Sequence, residues 1–141
     1  MFRVFFLCVA LMFSVSARAQ QWDVGLHTFS LHQHGSKLSN FDPGVYARYD
    51  GWTGGVFRNS YRRMSVYAGY TFETSTAPWS AALTVGAVTG YPAASVMPLA
   101  VPSVAFKFGD NSVRLGFVPK PPSHGTSASL HLMFEHHSTS Y

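Results

Sequence analysis

Apolar residues alternate with small or polar residues along residues 64–72. Successive side chains of a strand point to opposite faces, so this stretch predicts a strand with one apolar face and one small or polar face. The apolar face holds Met64, Val66, Ala68, Tyr70 and Phe72, and the other face holds Ser65, Tyr67, Gly69 and Thr71. The same alternation recurs in 112–118 and 128–136, so it indicates an architecture rather than one isolated element.

Eight strand-like segments, separated by turn signals, run along the chain. They predict strands at 22–32, 44–49, 52–58, 63–72, 79–89, 101–108, 112–118 and 128–136. Asp50-Gly51, between the second and third segments, is a strong tight-turn dipeptide. No stretch shows a helical period with capping residues. Eight short strands with short connections predict an all-β fold, an eight-stranded antiparallel up-and-down barrel.

The division of residues between the two faces distinguishes two kinds of barrel. A soluble barrel places its apolar face inside, whereas a membrane barrel places it outside, with a polar interior and aromatic girdles. Here the apolar face is continuous, and aromatic residues cluster near strand ends at Trp22, Trp52, Trp79 and Tyr91. This pattern favours transmembrane β strands in a bacterial outer membrane. A soluble periplasmic or secreted barrel is the alternative.

Two charged residues lie on the polar face of the last two predicted strands. Arg114 shares its face with Ser112 and Gly116, and Glu135 shares its face with His131 and Met133. An arginine on the lipid side at mid-membrane would cost about 2–4 kcal/mol. We therefore predict that Arg114 and Glu135 point into the barrel from neighbouring strands, close enough to interact.

The first nineteen residues have the pattern of a secretory signal peptide. Arg3 gives a basic start, residues 4–13 are apolar, and Ala17-Arg18-Ala19 is a small-x-small cleavage site. The apolar run is short for a membrane-spanning helix. We predict a signal peptide at 1–19 and a β-barrel domain at 20–141. The single cysteine, Cys8, lies in the signal peptide, so no disulfide framework is expected in the mature chain.

The charge balance argues against a nucleic-acid-binding protein. Without Arg3 and Arg18, the ten basic residues fall to eight, against six acidic residues. The resulting net charge of about +2 is too small for a nucleic-acid surface.

Residues 91–102 depart from the strand pattern because they contain Pro92, Pro98 and Pro102. Proline cannot donate to a β ladder and belongs at sheet edges, which a closed barrel does not have. One interpretation is a proline-containing loop. The other is a lateral opening in the barrel wall, through which a lipid tail could enter from the bilayer.

Five short motifs occur in one order along the chain: F-R-N-S-Y at 57–61, A-G-Y-T-F-E at 68–73, L-T-V-G-A-V-T-G at 83–90, M-P-L-A-V-P-S-V-A-F at 97–106 and G-F-V-P-K at 116–120. In order and spacing they resemble the lipid A palmitoyltransferase family of Gram-negative outer membranes. Members of that family are eight-stranded barrels that move a palmitoyl chain from a phospholipid to lipid A. The chain also resembles small exported phage and proteobacterial proteins of unsettled function.

The resemblance implies a site at the corner between the third and fourth strands. Ser60 falls on the family's serine, Asn59 falls where the family has aspartate, and His32 best matches its histidine, with His27 and His34 as weaker candidates. The first and third strands end at the same rim of an up-and-down barrel, so His32 and Ser60 are expected to meet. The candidate catalytic residues are therefore His32, Asn59 and Ser60. On the family pattern, Asn59→Asp is expected to be neutral or activating.

Two functions follow from these observations. The first is an outer-membrane acyltransferase, palmitoyltransferase-like, acting on phospholipid and lipid A as a monomer, with no cofactor. The second is a non-catalytic lipid-binding or surface-modifying barrel, whether phage-encoded or chromosomal. A metal site at His32-Gln33-His34 or His136-His137 is a weak alternative, because no cysteine or acidic cluster accompanies these histidines.

Overall fold

The computed structural model describes residues 21–32, 40–92, 94–119 and 128–139. They form eight strands: β1 (Gln21–His32), β2 (Phe41–Tyr49), β3 (Trp52–Arg58), β4 (Met64–Thr76), β5 (Trp79–Tyr91), β6 (Ala94–Phe108), β7 (Asn111–Val118) and β8 (Ser129–Thr139). The described residues include no helix long and apolar enough to span a membrane. The predicted signal peptide, residues 1–19, lies outside the described residues.

The eight strands form one closed antiparallel barrel in which each strand pairs with its neighbours in sequence and β8 pairs with β1. The predicted fold class is therefore confirmed. Tight turns join β2 to β3, β4 to β5 and β6 to β7 at one end, called here the turn end, where β1 begins and β8 ends. The other four connections lie at the opposite end, called the loop end. Asp50 and Gly51 both have positive φ, as the predicted tight turn requires.

The sixth strand is longer than predicted. The sequence places its start at residue 101 and interprets the preceding segment as a loop or an opening, but β6 begins at Ala94 and pairs with β5 from there. The loop interpretation of 94–102 is wrong, because proline at 98 and 102 leaves the ladder with β5 in register. The ladder with β7 is shorter and runs from Ser103 to Phe108.

A gap in the wall follows from this difference between the two ladders. On the β7 side, Phe117 and Val118 pair with β8 but have no pairing partner on β6 within the described strands. Residues 94–102 likewise pair with β5 alone among those strands. We call this unpaired boundary between β6 and β7, at the loop end, the seam.

The outer surface is apolar, as the alternation predicts. Large exposed side chains include Val24, Leu26, Phe29, Leu31, Val45, Met64, Val66, Phe72, Leu83, Val96, Leu115, Leu130 and Phe134. At the turn end, Trp22 packs on Tyr49, Trp52 on Tyr70 and Trp79 on Phe106, with ring centroids 4.5, 5.4 and 5.1 Å apart. These three pairs form an aromatic girdle around that end. Tyr91, the fourth predicted girdle residue, lies at the loop end and packs on Tyr61.

The interior divides into two halves. The loop-side half contains a buried cluster of Tyr46, Phe57, Tyr67, Val88 and Met133. Gly25 makes room for this cluster, since a Cβ there would lie 2.2 Å from the Tyr46 ring. The turn-side half is filled by charged side chains instead.

Glu135 is the centre of that charged half. Its carboxylate accepts hydrogen bonds from Tyr46 (2.6 Å), Arg48 (2.7 Å), Arg114 (2.7 Å) and Ser112 (2.9 Å). Glu73 bridges the same two arginines, at 2.6 Å from Arg48 and 3.1 Å from Arg114. The predicted inward contact of Arg114 with Glu135 is thus confirmed.

Glu135→Ala is expected to lower the free energy of unfolding by about 3–5 kcal/mol, because it leaves buried Arg48 and Arg114 partly unpaired. Denaturant unfolding of the barrel in detergent micelles measures the change. Asp110→Ala, at an exposed turn residue, serves as the matched control and should stay within about 0.5 kcal/mol. Equal stability of the two variants would contradict the central role of Glu135.

Candidate active site at the loop end

A β-bulge in β1 reverses the inward and outward faces of the strand, so that Ser30 and His32 point into the barrel. Thr28 is an extra residue relative to β8, because His27 pairs with Met133 and Phe29 pairs with Leu132. The Thr28 hydroxyl donates to the Leu132 carbonyl at 2.8 Å. A bulge inserts one residue and so reverses which side chains face inward beyond it. Trp22, Val24 and Leu26 face outward before the bulge, and Phe29 and Leu31 do so after it.

His32 and Ser60 meet at the loop end, as the sequence predicts. Ser60 Oγ lies 2.7 Å from His32 Nε2, although the two residues are 28 positions apart. His32 Nδ1 lies 3.1 Å from Asn40 Oδ1. With the ring proton on Nδ1, His32 donates to the Asn40 carbonyl oxygen, and Nε2 then accepts from the Ser60 hydroxyl. Hydroxyl, base and orienting group thus stand in the order that nucleophilic catalysis requires.

The Asn59 side chain stabilises the backbone of the corner between β3 and β4 through hydrogen bonds. Its amide nitrogen donates to Ser65 Oγ and to the Gly90 carbonyl, both at 2.9 Å. Its amide oxygen accepts from the backbone N–H of Tyr61 (2.9 Å) and of Arg63 (3.1 Å). The side chain, 1% exposed, therefore uses both donors and both lone pairs to hold the corner that presents Ser60. A direct catalytic role for Asn59 stays a prediction.

An acidic residue that the sequence analysis did not identify lies next to the His32–Ser60 pair. Asp42 is 1% exposed; its Oδ2 accepts from the Ser30 hydroxyl and lies 3.3 Å from Ser60 Oγ. Asp42 Oδ1 has no hydrogen-bond partner in the part of the chain that the structure describes. In the sequence, Asp42 belongs to a turn signal before the predicted strand at 44–49. Extending the alternation of Tyr46 and Arg48 back by two steps would have placed it inside.

The other candidate histidines occupy different places. His27 lies deeper in the barrel, with Nε2 at 2.9 Å from the Tyr67 hydroxyl and its ring against Tyr46. His136 contacts Asn111 on the outside, whereas His137 contacts Asp23 on the inside, so the two do not share a face. His34 lies outside the described residues. Among those that are described, no group of three or more His, Cys, Asp and Glu side chains could hold a metal ion.

Cavities lie in both halves of the described barrel interior. One of about 90 Å³ lies in the loop-side half and is lined by His27, Phe57, Tyr67, Leu99, Val101, Val118 and Met133, among others. Leu99, Val101 and Val118 flank the seam, so this cavity borders the gap in the wall. The larger cavity, about 610 Å³, opens at the turn end beside Asp23, Arg48 and Lys107, away from His32 and Ser60. Neither cavity is lined by His32 or Ser60; the smaller one lies in the same half of the barrel as these residues.

The sequence matches no family model and no curated protein. Among solved structures, the chain is similar to the de novo designed protein TMB2.3, with a TM-score of 0.64 and 10% identity over 89% of this chain and 100% of that one. It is also matched to Neisserial surface protein A, with a TM-score of 0.37 and 14% identity over 86% of this chain and 96% of that one. The likeness to TMB2.3 shows the barrel fold alone. The resemblance to lipid A palmitoyltransferases gains no support from these comparisons and stays a prediction.

Asn59→Asp is now expected to be harmful, the reverse of the expectation from the family pattern. A carboxylate cannot donate to the Gly90 carbonyl, and the loss of a buried hydrogen bond costs about 1–3 kcal/mol. Thermal or denaturant unfolding in micelles measures the change. Asn111→Asp, at an exposed turn-end residue, is the matched control and should change stability little. A variant Asn59→Asp that is as stable as the parent would refute the structural role.

Proposed function

We propose that this chain is a bacterial outer-membrane barrel. Its support is the continuous apolar outer surface, the aromatic girdle of tryptophan pairs at the turn end, and the placement of Arg48, Arg114 and Glu135 inside. An outward apolar band with flanking aromatic residues and a polar interior is typical of barrels in lipid. The predicted signal peptide would deliver the chain across the inner membrane.

Fractionation of cells that express the full-length chain tests this location. The protein is expected in the outer-membrane fraction, extractable only with detergent, and to migrate faster on a gel before boiling than after. A soluble periplasmic protein from the same cells is the control for leakage. Recovery of the folded chain in the detergent-free periplasmic fraction would overturn the proposal.

We further propose that the loop-end site performs acyl transfer on membrane lipids. The observation that carries this proposal is the 2.7 Å contact between Ser60 Oγ and His32 Nε2, with Asn40 orienting the other ring nitrogen. His32 takes the Ser60 proton as Oγ attacks the ester carbonyl of a phospholipid. The bond to the leaving alcohol then breaks, and His32 returns the proton to that alcohol. The acyl group on Ser60 passes to a hydroxyl of lipid A in a second, equivalent cycle.

The seam supports a lipid substrate. Pro98 and Pro102 have no N–H to donate, so part of the hydrogen bonding that would close β6 on a neighbour is missing. A lipid tail can therefore approach the interior from the side of the wall. The adjoining cavity of about 90 Å³ is smaller than the 300–1,000 Å³ of typical ligand pockets. The bulk of an acyl chain would accordingly remain in the bilayer during the reaction.

The alternative is a non-catalytic lipid-binding or surface-modifying barrel. Two observations favour it: the Asn59 amide makes all its hydrogen bonds with the corner and with Gly90, and the cavity beside the seam is small. Such a barrel would bind a lipid at the seam without transferring its acyl chain.

Lipid A mass spectrometry distinguishes the two functions. The chain is expressed in a strain that lacks its own palmitoyltransferase, and added palmitate on lipid A is measured. His32→Ala and Ser60→Ala are each expected to reduce palmitate transfer by about 10²-fold or more, since each removes a group that moves the proton. His136→Ala and Ser138→Ala, at exposed turn-end positions, are the matched controls and should retain activity.

The outcome separates the hypotheses. Full activity in both His32→Ala and Ser60→Ala would dispose of the site assignment. No change in lipid A with a correctly folded parent protein would favour the non-catalytic barrel.

A further inference from the structure

We infer that Asp42 is a positioning residue, which supplies the negative charge that stabilises His32 once His32 has taken a proton from Ser60. This inference rests on the proposed acyl transfer and deepens it. Asp42 lies on β2, and the site is thereby assembled from β1, β2 and the corner between β3 and β4.

Asp42 is in direct contact with Ser60, one member of the reacting pair. Its Oδ2 lies 3.3 Å from Ser60 Oγ, the same oxygen that lies 2.7 Å from His32 Nε2. Ser30, presented inward by the β1 bulge, donates to Asp42 Oδ2 and fixes the carboxylate in place.

The surroundings of Asp42 differ from those of the other carboxylates inside the barrel. Asp23, Glu73 and Glu135 each form an ion pair with an arginine. Asp42 has no such pair in the described residues, contacts only the hydroxyl groups of Ser30 and Ser60, and keeps Oδ1 unpartnered while almost fully buried. A buried carboxylate without a cationic partner is costly to the fold. Structural need alone therefore does not account for an acid here.

The position of the Ser60 proton before and during attack indicates what the carboxylate of Asp42 contributes. In the resting site, His32 Nδ1–H donates to Asn40 and the Ser60 hydroxyl donates to His32 Nε2. During attack the Ser60 proton moves to Nε2, and the ring becomes a cation beside the carboxylate of Asp42. The carboxylate lowers the energy of this charged state, as a third group does in other serine–histidine sites. As Oγ bonds to the acyl carbon its proton passes to Nε2, and the electron pair of the C=O bond moves onto the carbonyl oxygen, so the negative charge develops there and not on Oγ.

The inference is tested by the rate at which a fluorophosphonate probe labels Ser60. The rate is measured by mass spectrometry on the full chain in detergent micelles, across a range of pH. Asp42→Asn keeps the shape of the side chain and removes its charge. Labelling at neutral pH is expected to slow by at least about tenfold. The acid limb of the pH profile is expected to move to lower pH, because the protonated ring loses its stabilising charge.

A carboxylate placed beside the other ring nitrogen of His32 should restore the labelling rate lost in Asp42→Asn. Asn40→Asp in the Asp42→Asn background places a carboxylate against His32 Nδ1, and it is expected to return most of the lost rate and to move the acid limb back. Asp110→Asn removes one carboxylate at the exposed turn end and should leave both rate and profile unchanged. A purely structural Asp42 would not be rescued from position 40.

The outcomes separate this inference from the proposed function. Absence of Ser60 labelling in the parent, or equally fast labelling in His32→Ala, defeats the proposed function and this inference together. Labelling that depends on His32 but is unaltered in Asp42→Asn overturns the inference alone. The inference is also overturned if Asp42→Asn slows labelling but Asn40→Asp does not restore the rate and the acid limb does not move. Should Asp42→Asn fail to fold, Asn40→Asp alone, at an exposed position, must move the acid limb to higher pH. An unmoved limb there overturns the inference.

Discussion

Closure of the β ladder between β1 and β8 is the constraint on which the rest of the structure depends. In lipid, every backbone polar group must find its partner within the protein, and closure of the barrel removes the sheet edges everywhere except along the seam. Closure also separates two surfaces, since alternate side chains point in or out around the whole ring. The apolar set of each strand therefore lies outside, and the charged residues are left to pair with one another inside.

The two halves of the interior satisfy this constraint differently. On the turn side, Glu135 and Glu73 neutralise Arg48 and Arg114, so the charges form a compact network. On the loop side, aromatic rings and Met133 fill the space and leave only a small cavity. The candidate chemistry lies above this second half, where the ladder is interrupted twice. The bulge at Thr28 directs His32 inward, and the seam leaves β6 open to the side.

The site is therefore assembled from several strands of the barrel and not from one segment of the chain. Ser60 is held by the corner that Asn59 organises, His32 by the bulged end of β1, and Asp42 by the start of β2. The likeness to a designed barrel at 10% identity shows how little sequence the fold itself demands. Function must therefore be argued from the side chains at the rim, since one fold supports many sites.

The alternation of residues determined the barrel, its inward and outward faces, the Asp50-Gly51 turn and the inward pairing of Arg114 with Glu135, because strand period and turn chemistry are local properties. The expected meeting of His32 with Ser60 came from the family resemblance and from strand direction, but the bulge at Thr28 that turns His32 inward is not visible in the alternation. Tertiary structure alone decided three other points: that β6 begins at Ala94, that Asn59 anchors its corner, and that Asp42 joins the site. Each depends on a partner distant in sequence, such as β5 for Ala94, the Gly90 carbonyl for Asn59 and the Ser60 hydroxyl for Asp42. No local pattern encodes a hydrogen bond between residues that closure of the barrel brings together.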